Sequence, residues 1–289
     1  MKAVIPVAGY GTRFLPFTKV IPKEMLPVVD KPVIQYLVEE VAQAGIEEII
    51  LITGSNKRAI EDHFDSYFEL ESKLEAAGKT KALETIRSIT KLAKFIFIRQ
   101  NEPLGLGHAV LQAKPAIGNE PFVVLYGDDI IEPEGTKGVT AQLLEVFKKH
   151  PTTILGVTEV AKDQVSQYGV IDGEATAEFG NRLYRVKDFV EKPDPEQAPS
   201  NLAISGRIIL TPEIFSILEQ QPPGVGGEIQ LTDAVRTLIK RTNGFALHYQ
   251  GAWYDCGSKA SYIKAVIHYA LGHPEVGDEV RKYLKHLKL

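Results

Sequence analysis

The chain has 289 residues, 44% of them hydrophobic and 24% charged, a balance typical of a globular protein that can bury a proper core. A net charge of −4 and a pI near 6.0 argue against a general binder of nucleic acid or of membrane surfaces. The sequence has no apolar run of about eighteen residues and no signal-peptide pattern. The single cysteine, Cys256, excludes an internal disulfide, so the cytoplasm is the expected location.

The chain opens with an apolar run at residues 3–8, which predicts a buried strand that ends in a glycine turn at 9–11. Backbone N–H groups in such a turn can approach an anion, and the cations Arg13 and Lys23 follow closely, a combination that suits a polyphosphate. The alternative is an ordinary turn. The third glycine of a dinucleotide-binding fingerprint is replaced by Phe14, and the Gly-Lys-Ser/Thr of a P-loop is absent.

The next segments alternate between helical and strand patterns. A helix is predicted at 32–44 and a buried strand at 47–53. Residues 55–92 interrupt this rhythm with a charged helical stretch whose apolar stripe either packs on the sheet edge, which we favour, or serves self-association. Further strands are predicted at 95–99, 122–126, 152–160, 168–171, 182–186, 189–190, 203–210, 245–249 and 252–254, and further helices at 105–113, 139–149, 211–219, 231–241 and over most of 258–287.

The alternation of strands and helices predicts a three-layer, Rossmann-like α/β fold with helices on both faces of the sheet. We expect a mixed, mostly parallel sheet that becomes more antiparallel where the strands shorten, after about residue 165. One domain spanning 1–289 is the expected organisation, with no internal repeat.

Ligands of open α/β sheets bind at the carboxyl ends of strands, and several polar groups fall at such ends. Besides the 9–13 turn, these are Asp128 with Asp129, Glu191 with Lys192, and Asp255. A carboxylate there is the usual way to hold Mg²⁺ beside a nucleotide phosphate, although adjacent acids are also typical of turns and a Glu–Lys pair of a surface ion pair. Cations, glycine turns and acids together indicate Mg²⁺-assisted phosphoryl or nucleotidyl transfer.

Other chemistries have less support in the sequence. The seven histidines include no His-x-x-x-His pair, which argues against zinc. No serine lies in a Gly-x-Ser-x-Gly elbow, and Cys256 follows an acid, which favours a buried apolar role over a nucleophile.

Four motifs carry a family resemblance. Gly9-x-Gly-Thr-Arg13, continued by Pro22-Lys-Glu-Met-Leu-Pro, is similar to the signature of sugar-phosphate nucleotidyltransferases. Together with Gly105-Leu-Gly-His-Ala-Val, Val190-Glu-Lys-Pro and Gly226-Gly-Glu-Ile-Gln-Leu-Thr-Asp233, it resembles the bacterial UTP–glucose-1-phosphate uridylyltransferase family. The motifs cover nearly the whole chain in the expected order, and the resemblance implies a glycosyltransferase-A-like sheet.

The resemblance also implies roles for matching residues. Implied nucleotide-binding positions are Ala8, Gly9 and Gly11 through their backbone, with Gln100 and Gly105 reading the pyrimidine. Implied catalytic residues are Arg13, Lys23, Asp128 and Lys192, and the implied Mg²⁺ ligands are Asp128 and Asp255. Implied sugar-phosphate positions are Gly169, Glu191, Lys192 and Glu228. On this scheme residues 1–160 mainly bind nucleotide, residues 161–257 mainly bind sugar phosphate, and 258–289 form a helical tail.

The implied reaction converts UTP and α-D-glucose 1-phosphate into UDP-glucose and pyrophosphate, with Mg²⁺ as cofactor and neither nucleic acid nor membrane as partner. A homo-oligomer, dimer or tetramer, is expected. Two alternatives stay open: a sister enzyme that uses dTTP, CTP, ATP or another sugar 1-phosphate, and a non-catalytic regulatory relative. The second would be expected to lose the arginine, lysines or acids, which are all present here.

Overall fold

The computed structural model describes residues 1–287, and thirteen strands are found there. They are β1 Lys2–Pro6, β2 Pro27–Val28, β3 Lys31–Pro32, β4 Glu48–Thr53, β5 Lys94–Arg99, β6 Phe122–Leu125, β7 Asp129–Pro133, β8 Thr153–Glu159, β9 Gly169–Ala175, β10 Leu183–Glu191, β11 Leu202–Leu210, β12 Gly244–His248 and β13 Gly251–Asp255. The α-helices are α1 Val33–Gln43, α2 Arg58–Phe64, α3 Phe68–Ala76, α4 Thr80–Ile89, α5 Leu106–Gln112, α6 Lys114–Ile117, α7 Val139–Lys149, α8 Glu213–Gln220, α9 Leu231–Thr242, α10 Lys259–Gly272 and α11 Gly277–His286.

Nine strands form the main sheet, in the order β5-β4-β1-β6-β11-β8-β12-β10-β9. Strands β5, β4, β1 and β6 are parallel to one another, as are β8 and β12, whereas the other neighbours are antiparallel. The carboxyl ends of β1, β4 and β6 therefore meet at one edge of the sheet, which is where ligands bind in open α/β folds. Strands β7 and β13 form a separate antiparallel ribbon.

Two hydrophobic cores cover the two faces of this sheet. Along β1, Ala3 and Ile5 point into one core and Val4 into the other, as the two-residue period of a strand requires. The first core packs α1 and α7 on the sheet, and the second packs α5, α8 and α9. The predicted three-layer α/β architecture is confirmed.

Three details differ from the sequence-based expectation. Parallel pairs make up about half of the main sheet, because β11 separates β6 from β8 and runs against both. The segments predicted at 182–186 and 189–190 form one strand, β10, with an irregularity after Val186. Strand β7 was not predicted. The last two residues of the predicted tail, 288 and 289, lie outside the described part of the chain.

The helical stretch at 55–92 packs only partly on the sheet. Phe64 of α2 is buried and stacks on Phe95 of β5, with ring centroids 4.5 Å apart. Tyr67 and Phe68 are 61% and 80% exposed, so the expected packing of the apolar stripe is wrong for these two residues. The reason is that α2 ends before α3 begins at Phe68, so the stripe does not continue along one helix.

A buried ion pair joins the two sides of the first core. Arg207 of β11 has no exposed surface, and its Nη2 donates to Glu40 Oε2 of α1 at 2.7 Å. The backbone N–H and the hydroxyl of Thr140, in the first turn of α7, donate to Glu40 Oε1 at 2.9 and 2.6 Å. Burial alone would raise the pKa of Glu40, but the Arg207 charge and the hydrogen bonds from Arg207 and Thr140 together outweigh burial and hold the pKa below its ordinary value. Glu40 is therefore a carboxylate.

Removing one member of this pair should be strongly destabilising. Glu40→Ala leaves the Arg207 guanidinium buried without its counter-charge, and we expect a loss of about 3–5 kcal/mol in the free energy of unfolding. Lys137→Ala is the matched control, since it breaks the exposed Lys137–Glu145 pair and should cost less than about 1 kcal/mol. Urea unfolding measures both values. Equal losses in the two variants would contradict the dominance of the buried pair.

Candidate active site

An acidic cluster lies where the main sheet meets the β7–β13 ribbon. Asp128 ends the turn after β6, and Asp129 begins β7, where it is the register partner of Asp255 in β13. The Cys256 N–H donates to the Asp128 carbonyl oxygen at 2.8 Å. A Cβ atom on Gly257 would lie 2.5 Å from Asp128 Oδ2 and 2.9 Å from Asp255 Oδ1. These two carboxylates therefore flank the same glycine.

Hydrogen bonds from Arg207 and Trp253 to Asp129 stabilise the turn that carries Asp128. Arg207 Nη2, besides bonding Glu40, donates to the Asp129 carbonyl oxygen at 2.9 Å, and the Trp253 indole N–H donates to Asp129 Oδ1 at 2.9 Å. Gly206, in an irregular part of β11, has φ +67, and a Cβ there would lie 2.3 Å from Asp129 Oδ2. Only a glycine leaves room for the buried Asp129 carboxyl at this point.

The three acids have different electrostatic environments. Burial alone would raise the pKa of Asp128, but Lys23, whose Nζ lies 2.5 Å from Asp128 Oδ2, holds it below its ordinary value. Burial and the neighbouring Asp128 charge raise the pKa of Asp129 well above its ordinary value. The same two causes raise the pKa of Asp255. Of the three acids, only Asp128 has a pKa that its surroundings lower, which favours its carboxylate form.

The glycine turn after β1 packs on the segment that carries Lys23. Gly11 has φ +65, and a Cβ there would lie 3.1 Å from the Lys23 Cβ. The Thr18 hydroxyl donates to the Gly11 carbonyl oxygen at 2.7 Å. Below them, the buried Glu24 carboxylate pairs with Lys57 Nζ at 2.8 Å, which ties this segment to the loop after β4. The cations and the turn are therefore held as one unit.

Two cavities meet at this cluster and share Leu106 and Tyr126 in their walls. The smaller, about 400 Å³, is lined by residues that include Ala8, Gly9, Lys23, Gln100, Gly105, Asp128 and Glu228. The larger, about 950 Å³, is lined by residues that include Arg13, Tyr168, Gly169, Glu191, Lys192, Trp253 and Asp255. A substrate in each cavity would bring its reacting end to the acidic cluster between them.

Lys192 is placed at the mouth of the larger cavity by a strained backbone. Its φ is 47, in the left-handed region that a lysine seldom adopts, and its N–H donates to the Tyr168 carbonyl oxygen at 3.0 Å. Its side chain is 62% exposed and lies 3.9 Å from the Glu191 carboxylate. Such strain is often kept where it orients a functional side chain.

A model of the nucleotidyl transferase family matches residues 2–271. The chain belongs to this family. A UTP–glucose-1-phosphate uridylyltransferase of Streptococcus pneumoniae serotype 4 is 54% identical over 285 residues, which are 98% of this chain and 94% of that protein. A UTP–glucose-1-phosphate uridylyltransferase 2 of Streptococcus pyogenes serotype M3 is 52% identical over the same coverage. The motif-based resemblance is confirmed.

Solved structures of this family are similar over nearly the full length. The UTP-bound UGPase from Acinetobacter baumannii has a TM-score of 0.93 at 42% identity, with 99% of each chain covered. A UDP-glucose pyrophosphorylase complexed with UDP-glucose has a TM-score of 0.85 at 48% identity, covering 94% of this chain and 99% of that one. The glycosyltransferase-like α/β sheet expected from the motifs is the fold of these relatives.

The structure brings most of the sequence-predicted site residues to the two cavities. Glu228, expected near the sugar phosphate, lines the smaller cavity beside Gly105 instead. Gly11 is not in either wall but supports the turn. Sequence reasoning missed Trp253 and the buried supports Arg207 and Glu24, because their contacts come from segments far away in the sequence. The apolar pattern around 252–254 was the only sequence signal for Trp253.

No helix within residues 1–287 is long and apolar enough to cross a membrane. In the same part of the chain, no group of three or more His, Cys, Asp or Glu side chains is arranged to hold a metal ion. Two carboxylates, one of them with a lowered pKa, are nevertheless the donors that Mg²⁺ takes from a protein when substrate phosphates and water complete its coordination. Asp128 and Asp255 fit that donor set.

Proposed function

We propose that this protein transfers the uridylyl group of UTP to α-D-glucose 1-phosphate and releases pyrophosphate. The observation that carries the proposal is the acidic cluster with Lys23 at the junction of two cavities, in a chain 54% identical to a UTP–glucose-1-phosphate uridylyltransferase. The smaller cavity takes the nucleotide and the larger takes the sugar phosphate. Residues 1–160 thus mainly serve the nucleotide and residues 161–257 mainly the sugar phosphate.

The nucleotide lies over the glycine turn. Ala8 and Gly9 offer their backbone to it, Gly11 supports the turn that carries them, and Gln100 and Gly105 at the far wall read the pyrimidine. Gln100 directs its side-chain oxygen to the base, as the Gly105 carbonyl oxygen already accepts from its Nε2 at 3.1 Å. An amide oxygen can accept a hydrogen bond from an N–H of the base, which supports uracil as the base that is bound.

The sugar phosphate lies in the larger cavity. Gly169 and Glu191 surround the sugar, and the exposed Lys192 holds its phosphate, whereas Glu228 faces the nucleotide from the wall of the smaller cavity. A phosphate monoester has a second pKa of about 6, so it is largely dianionic at neutral pH and needs no strong base before it attacks. The main barrier is the repulsion between the two polyanionic substrates. The protein therefore catalyses the reaction by positioning them and neutralising their charge.

Mg²⁺, held by Asp128 and Asp255, would neutralise charge on the α-phosphate. Lys23 now bonds Asp128, and a phosphate oxygen can take the place of that carboxylate on its ammonium group. The Asp128 and Glu24 carboxylates outweigh the effect of burial and raise the pKa of Lys23, so it stays a cation throughout. Arg13 and Lys23 then stabilise the departing pyrophosphate as the sugar-phosphate oxygen attacks the α-phosphorus in line.

A panel of nucleotide sugars in the pyrophosphorolysis direction tests the activity. We expect UDP-glucose with pyrophosphate to give UTP at the highest kcat/KM, ahead of the dTDP-, CDP- and ADP-glucose substrates and of other UDP-sugars. A higher value for another nucleotide or sugar would identify a sister enzyme. No turnover with any of them would support the non-catalytic alternative.

Removal of the Arg13 charge should slow the reaction more than it weakens binding. We expect Arg13→Ala to lower kcat by roughly 100-fold, since the charge acts on the leaving group, with a smaller change in KM for glucose 1-phosphate. Arg58→Ala, which removes an exposed arginine of α2, is the control. Steady-state kinetics with near-normal kcat for Arg13→Ala would remove this residue from the site.

Loss of the Asp128 charge should remove the response to metal. We expect Asp128→Asn to lower the Mg²⁺-dependent rate by at least about 100-fold, because an amide binds a hard cation poorly. Mg²⁺ titrations of the initial rate compare it with Asp62→Asn, which changes an exposed acid on α2. A variant with unchanged metal dependence would show that Asp128 is not a ligand.

The expected homo-oligomer is also part of this proposal. Tyr67 and Phe68 leave an exposed apolar pair at the start of α3, and Ile263 and Ile267 lie one turn apart on the exposed side of α10. Such surfaces favour self-association into a dimer or tetramer.

A further inference from the structure

A chain of three polar side chains lies behind the wall of the smaller cavity. Gln100 is 9% exposed and faces that cavity. Its Nε2 lies 3.0 Å from Nδ1 of His108, and the amide nitrogen Nε2 of Gln112 lies 3.0 Å from Nε2 of the same ring. Gln100 directly follows β5 while the other two lie on α5, so the contact joins the end of the strand to the helix.

The orientation of the Gln100 amide follows from its partners. The Gly105 carbonyl oxygen can only accept, so the atom that faces it at 3.1 Å must be the amide nitrogen. That nitrogen has two N–H groups, and the second points to His108 Nδ1. Within residues 1–287 no donor bonds Gln100 Oε1, which leaves this oxygen for a ligand in the cavity.

The tautomer of His108 follows in turn. Because Nδ1 accepts from Gln100, the proton of the neutral imidazole is on Nε2. The Gln112 amide must then turn its oxygen to this N–H, giving up its long 3.3 Å contact with the His108 carbonyl oxygen. The three side chains form a directed chain in which each group fixes the next.

We infer that His108 is a positioning residue that favours uracil over cytosine by holding the Gln100 amide with its oxygen toward the base. The inference rests on the proposed function, in which the base lies against Gln100. Uracil has an N–H at position 3 that can donate to this oxygen, whereas cytosine has an acceptor nitrogen there. This nitrogen and the carboxamide oxygen are both acceptors and repel each other, so cytosine loses a hydrogen bond and leaves polar groups unpaired.

Gly105 alone fixes the amide less well than the pair does. Its carbonyl oxygen is shared, since it also accepts the Ala109 N–H at 3.1 Å. With one acceptor the Gln100 amide can still rotate about that contact. Two acceptors in different directions fix both the plane of the amide and the side on which its oxygen lies. The backbone at Gly105 cannot move to compensate, because φ is +97 and the chain at Glu228 and Ile229 is in close contact.

Two variants of His108 separate an acceptor role from a packing role. His108→Leu keeps an apolar volume but removes the acceptor, whereas His108→Asn places an amide oxygen near the former Nδ1. The measurement is kcat/KM for UTP, CTP and dTTP with glucose 1-phosphate. In His108→Leu we expect the CTP-to-UTP ratio of kcat/KM to rise about tenfold, the effect of one misplaced hydrogen bond.

Thymine provides an internal control, because it has the same N–H at position 3 as uracil. The dTTP-to-UTP ratio should therefore be the same in His108→Leu and in the wild type. His108→Asn should keep the wild-type CTP-to-UTP ratio. His108→Met is a second apolar variant, expected to behave as His108→Leu does, and thermal unfolding verifies that each variant is folded.

Three results would overturn the inference: an unchanged CTP-to-UTP ratio in folded His108→Leu or His108→Met, an equal rise in His108→Asn, or a uniform loss for all three nucleotides. A wild-type protein inactive with every uridine nucleotide would overturn the proposed function instead. The two failures are therefore distinguishable.

Discussion

The buried Arg207–Glu40 pair is the contact on which the acidic cluster depends. One guanidinium bonds the α1 carboxylate and, through the same Nη2, the carbonyl oxygen of Asp129. Apolar residues of similar volume could fill this space at a lower desolvation cost, but they could not donate to that carbonyl. The position of the turn after β6 therefore depends on how α1 packs against β11, because Arg207 bonds both Glu40 and that turn. Because β13 pairs with β7 from Asp129 onward, the same contact also fixes Asp255.

This arrangement concentrates carboxyl groups that would repel one another if all were charged. Lys23 neutralises Asp128 directly, while burial and the Asp128 charge raise the pKa of Asp129 and favour its protonated form. The field at the junction of the cavities is then set mainly by Asp128, with Asp255 beside it. A divalent cation and two polyanionic substrates can be accommodated there because the protein supplies both signs of charge at short range.

The sequence predicted those parts of the site that depend on local pattern. The apolar run before the glycine turn, the acids after β6 and the four ordered motifs all lie in continuous segments. The glycine turn, the acids and the Glu191–Lys192 pair are found at strand ends, whereas the motifs at 105–110 and 226–233 lie at the starts of α5 and α9. What could not be predicted depends on pairing between distant segments. Strand β7 is short and begins with an acid, so only its ribbon with β13 makes it a strand. The exposure of Phe68 likewise depends on where α2 ends, which the helical period does not reveal.

The site residues differ in how firmly the fold holds them, and the difference follows their chemistry. Gln100 is buried among hydrogen bonds, which suits a residue that must tell one base edge from another. Arg13 and Lys192 are exposed cations; the Arg13 guanidinium donates to the Gly257 carbonyl oxygen at 3.5 Å, and Lys192 lies 3.9 Å from the Glu191 carboxylate. A buried unpaired cation would cost several kcal/mol in the free protein, roughly the cost of desolvating one ion. Because these two side chains are exposed, the protein avoids that cost until the substrate supplies the opposite charge, so a buried group selects the base while exposed groups bind the phosphates.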